Sequence, residues 1–69
     1  MNPMTITLKV PGMMCKHCEA SVTEALNELT GVNSVAVNLD SKTVTIDYEG
    51  PEVAALKEAI ENVGFDVEE

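Results

Sequence analysis

Met4-Thr5-Ile6-Thr7-Leu8-Lys9-Val10 runs straight into Pro11-Gly12-Met13-Met14-Cys15-Lys16-His17-Cys18, and the hydrophobic period changes across that junction. Met4, Ile6, Leu8 and Val10 alternate with Thr5, Thr7 and Lys9, the period of two that marks a half-buried strand. Pro11-Gly12 breaks the alternation and opens a loop holding both cysteines and the single histidine. From about Lys16 the apolar residues fall at helical spacing: Cys18, Val22, Ala25, Leu26 and Leu29, with Glu19, Thr23, Glu24 and Glu28 largely opposite. A strand therefore feeds a helix through a cysteine loop, and Gly31 suits the helix C-cap region.

The rest of the chain repeats that plan. Val35, Val37 and Leu39 alternate, Asp40-Ser41-Lys42 makes a short turn, and Val44, Ile46 and Tyr48 alternate with Thr43, Thr45 and Asp47 to complete a hairpin. Glu49-Gly50-Pro51-Glu52 reads as a helix start, with Pro51 suited to the first helical position and acids in the first turn. Val53, Leu56, Ala59, Ile60 and Val63 supply the apolar stripe of a second helix. Gly64 stops it, Phe65-Asp66-Val67 is expected as a short last strand, and Glu68 and Glu69 as a frayed end. The predicted order is β-α-β-β-α-β, the ferredoxin-like α+β arrangement: a two-layer sandwich with both helices on one face of an antiparallel sheet. The other face, rich in Thr, Ser, Asn, Lys and Asp, is expected to be wet. No linker interrupts residues 1–69, which read as a single domain.

Composition removes whole classes of function. A formal charge of −8, with one Tyr, one Phe and no Trp, repels phosphates and leaves no stacking platform, which excludes nucleic acid. No apolar run approaches the ~20 residues that span a bilayer. The N-terminal stretch alternates instead of pairing a basic region with an apolar one, so it does not read as a signal peptide and the chain is expected in the cytoplasm. There the thiols default to the reduced form, which favours metal or redox chemistry over a structural disulfide. No nucleophile-base pair or phosphate cradle is present, and no enzyme activity is expected.

Cys15 and Cys18, two residues apart, can face one small ion or bond to each other, and spacing alone does not choose. Their setting adds to the argument. Cys18 falls in the first helical turn, where free backbone N–H groups and the helix dipole favour thiolates, and Lys16 adds a positive charge. Thiolates prefer soft ions such as Cu(I), with Zn(II) also accommodated. Two sulfurs are too few for a closed tetrahedral zinc site. They suffice for a near-linear d10 ion that stays open to an incoming thiolate. A thioredoxin-like redox pair is the alternative, but the motif has no Trp before it and no Pro within it. Met13 reads as core filler with a thioether ligand as the alternative, and Met14 as an exposed neighbour of the site with partner contact or no role. His17 reads as an exposed imidazole pointing away from an ion between the sulfurs, with a third-ligand role or contact with a second molecule as the alternative, and Tyr48 as structural. The helix glutamates read mainly as a solvated surface, with attraction to a basic partner as their sharper role.

Gly12-Met13-Met14-Cys15-Lys16-His17-Cys18 ahead of the first helix, with Gly31-Val32, Val35-Val37-Leu39 and Gly64-Phe65, resembles the heavy-metal-associated domain over nearly the whole chain. That family comprises small copper chaperones, the metal-binding domains of copper-transporting P-type ATPases, and mercury-binding relatives. The resemblance implies one Cu(I) ion held by Cys15 and Cys18. It implies transfer to an ATPase metal-binding domain or similar acceptor by thiolate exchange, and packing of Met13, Gly12 and Phe65 around the loop. A chain starting at Met1 suggests a free chaperone, whereas Phe65 stands where bacterial chaperones of the family often carry Tyr and the ATPase domains Phe. Carriage of Hg, Zn or Cd is the competing reading of the same sulfurs, and a metal-bridged homodimer is a further expectation.

Overall fold

In the computed structural model, which describes residues 3–50 and 52–68, five regular elements follow the predicted order: β1 (Met4–Lys9), α1 (Lys16–Asn27), β2 (Val32–Asn38), β3 (Thr43–Tyr48) and α2 (Val53–Asn62). The strands form one antiparallel sheet in the order β1-β3-β2. In β3 the alternation is fully realised: Val44, Ile46 and Tyr48 are buried, and Thr43, Thr45 and Asp47 lie on the other face. Opposite them, Leu8 pairs with Val44 and Ile6 with Ile46 on β1, and Val37 and Val35 do the same on β2. The apolar face so built is covered by Val22 and Leu26 of α1 and Leu56 and Ile60 of α2, all fully buried. No polar side chain of the described residues enters this core. On the wet face, Thr7 and Thr45 sit across from each other with their hydroxyls 3.2 Å apart.

The hairpin turn is made by Asn38, whose Oδ1 accepts the N–H groups of Asp40 and Ser41 at 3.0 and 3.2 Å. Lys42 then takes a left-handed backbone, φ 57°. Its carbonyl accepts the Val10 N–H at 2.8 Å, which braces the base of the cysteine loop against the hairpin.

Several sequence expectations need correction. Phe65-Asp66-Val67 forms no ladder among the described residues. After α2 the chain turns at Gly64 (φ 101°) and reaches the sheet only at Glu68, which makes a single antiparallel bridge with Lys9 through bonds of 3.1 and 2.7 Å. Glu68 is therefore tied down, not frayed, while Glu69 lies outside the described residues. Val63, assigned to the buried stripe, is 41% exposed because α2 ends at Asn62 and Val63 is its C-cap. Glu52 is the N-cap of α2 and makes no side-chain capping bond, so the first turn contains no acid. The proposed helix-start residue Pro51 lies outside the described residues. Gly31 (φ 99°) follows the C-cap of α1, Glu28, by three residues and serves the turn into β2.

Candidate metal centre

The loop from Val10 to Cys15 is pinned at its base and open at its tip. Met13 donates its N–H to the Val10 carbonyl at 3.1 Å and buries its side chain completely in the core. Beside it, a Cβ built on Gly12 would lie 3.5 Å from Phe65 Cδ1, so the aromatic ring packs along this glycine while also touching the core. Phe65 thus packs beside the loop, as the resemblance implies, and against the core as well, and Met13 is a core filler. Met14, one residue on, is 71% exposed.

Cys15 ends the loop in extended backbone, φ −143° and ψ 166°, and is the N-cap of α1. Its carbonyl accepts the Glu19 N–H at 3.0 Å, the first bond of the helix. Its Sγ accepts the Cys18 N–H at 3.4 Å. Capping by Cys15 escaped the sequence reading because Ser, Thr, Asp and Asn are the residues that signal an N-cap. The same geometry brings the two thiols together, Sγ to Sγ 3.0 Å, with Cys15 exposed and Cys18 half-buried.

Electrostatics follow from this placement. The Cys15 thiol is held below its ordinary value first by the Cys18 thiol, which donates to it, then by the Cys18 backbone N–H. The His17 N–H adds a smaller effect in the same direction, and desolvation opposes all three. The thiolate is thus favoured by the neighbouring thiol and by backbone N–H groups at the start of α1. His17 is exposed, and among the described residues no group of three His, Cys, Asp or Glu could share an ion. The paired sulfurs offer two soft donor atoms side by side. A shallow depression runs along α1 from Lys16 to Asn27, but neither cysteine lines it. At the tip of the loop, Met14 and Cys15 are exposed.

Residues 7–66 match the heavy-metal-associated domain. The chain belongs to that family. The copper chaperone CopZ of Staphylococcus aureus (strain bovine RF122 / ET3-1) is 45% identical to this heavy-metal-associated domain over 62 residues, 87% of this chain and 91% of that protein. A solved structure of a CopZ metallochaperone superposes with a TM-score of 0.91 at 40% identity, covering 94% of this chain and all of that one (100%). The N-terminal domain of a potential copper-translocating P-type ATPase from Bacillus subtilis, in the Cu(I)-loaded state, gives a TM-score of 0.91 at 29% identity, covering 97% of this chain and 86% of that chain. The heavy-metal-associated domain described here thus shares its ferredoxin-like fold with copper chaperones and with ATPase metal-binding domains alike.

Proposed function

We propose that this domain is a cytoplasmic Cu(I) carrier and not an enzyme. Residues 1–69 act as one unit, holding one ion between the thiolates of Cys15 and Cys18. The ion passes by stepwise thiolate exchange to the metal-binding domain of a copper-transporting P-type ATPase or a similar acceptor. The observation that carries the reading is the pair of thiols 3.0 Å apart at a helix N-terminus, Cys15 exposed and Cys18 half-buried, with the Cys15 thiolate favoured. The donor chemistry fits: two soft sulfurs, and no third donor of the His, Cys, Asp or Glu kind among the described residues. The kinship with copper chaperones and with a Cu(I)-loaded ATPase domain supports copper as the cargo.

A metal–thiolate bond of roughly 2.3 Å sets the sulfurs of a near-linear site about 4.6 Å apart, wider than they stand here. Loading then requires the pair to open. Cys15, outside the helix and exposed, is the partner free to move. An acceptor thiolate enters from the same open side.

The test is an anaerobic Cu(I) titration of the reduced protein against a chromophoric competitor. One tightly bound ion is expected, lost in Cys15→Ser and in Cys18→Ser. Binding that survives both substitutions refutes the reading. Sedimentation with and without copper reads the metal-bridged homodimer, which an unchanged sedimentation coefficient across a broad protein range would dismiss. The close sulfurs also favour a second reading, thiol–disulfide exchange, since bond formation at about 2.05 Å asks for a comparably small movement. A reduction potential below about −300 mV, where structural disulfides lie, argues against that role.

A further inference from the structure

We propose that Met14 supplies its thioether sulfur to the cargo ion as a third, displaceable ligand beside Cys15 and Cys18, a step that rests on the carrier reading above. The two adjacent methionines have opposite fates: Met13 is fully buried, and Met14 is 71% exposed, more than the other exposed large apolar residues Met4 and Val63. Packing therefore accounts for Met13 and leaves Met14 without a structural task. Met14 is joined directly to Cys15, and consecutive Cα atoms lie about 3.8 Å apart. Both residues belong to the open tip of the loop, outside α1. A methionine side chain has three rotatable bonds, and an exposed one can swing its sulfur towards an ion on its neighbour.

The chemistry selects this donor. Two thiolates suffice for a near-linear Cu(I) ion but leave it open to a third soft donor, and thioethers are soft donors that favour Cu(I) over harder ions. Among the described residues no His, Asp or Glu joins the cysteines in a three-donor group, so the adjacent thioether is the soft group at hand. It is neutral and binds more weakly than a thiolate. It shields the ion during carriage and yields to an acceptor's thiolate, which then replaces it.

Met14→Leu keeps an apolar side chain and removes the sulfur. Cu(I) and Zn(II) titrations of both proteins, with X-ray absorption of the Cu(I)-loaded forms, decide the matter. Cu(I) affinity is expected to fall about tenfold in Met14→Leu, or about 1.4 kcal/mol, with Zn(II) affinity unchanged. The sulfur shell should drop from three scatterers to two. A thioether carries no proton, so the factor should be the same at about pH 6 and about pH 8, although thiolate binding itself weakens in acid. Equal Cu(I) affinity and equal sulfur counts in the two proteins overturn the proposal while leaving the carrier reading intact. A parallel fall for both metals also overturns it, since that marks a disturbed loop. Failure of the unsubstituted protein to bind Cu(I) ends both readings.

Discussion

Cys15 performs two tasks with one atom, because its Sγ both caps α1 and faces Cys18. The consequence for pH has a definite sign. Its folded-state pKa lies below the ordinary thiol value of 9.0, so the thiolate contributes stability that is present above the ordinary value and lost as pH falls through the lowered one. The urea midpoint of the reduced metal-free protein should rise with pH across that window. Cys15→Ser should abolish the rise, and a flat profile in the unsubstituted protein would contradict this account. Alkylation of Cys15 by iodoacetamide should likewise reach half its maximal rate below pH 9.0. Among single residues the sequence marked out the only two thiols of the chain, and the structure brings their sulfurs together. Sequence alone could not reveal that the neighbouring thiol is the largest influence favouring the charge, ahead of the backbone N–H groups.

For α1 the prediction separates scaffold from chemistry. Serine is a strong N-cap residue, so Cys15→Ser should leave the urea midpoint of the metal-free protein at neutral pH close to that of the parent, with copper binding lost. Cys15→Ala, which removes the cap altogether, should lower stability by about 0.5–2 kcal/mol relative to Cys15→Ser. Equal stability of the two variants would show that the capping bond has no weight. Among the elements, β1, β3 and α1 were legible because periods of two and of helical spacing are sustained there over whole segments. The last strand was not. Phe65 and Val67 alternate as a strand would, but the chain spends those residues crossing from α2 to the sheet, and only Glu68 arrives beside Lys9. Val63 failed for a related reason: its spacing continues the α2 stripe, whereas the helix has already ended. Short terminal patterns carry too few repeats to fix where an element stops.

Over the whole molecule, acids outnumber bases 12 to 4, the single histidine aside. The molecule measures 34 × 21 × 19 Å, and at an ionic strength of about 0.01 M the screening length is about 30 Å. Carboxylates on opposite sides then repel one another, and raising the salt to physiological strength, where the length is about 8 Å, removes most of that cost. The urea midpoint of the metal-free protein should therefore increase from low to moderate KCl, and a decrease would mean that attractive pairs outweigh the repulsion. Sheet geometry has an equally global reach. Lys9 turns its N–H towards Glu68 and away from β3, and successive strand residues alternate the edge to which they point. The amides of Thr5 and Thr7 therefore face the same outer edge as Lys9, while Ile6 and Leu8 point theirs into the ladder with β3. Dissolved in D2O, this one strand should label in a two-residue rhythm, Thr5 and Thr7 early and Ile6 and Leu8 late, so that a single element keeps two clocks.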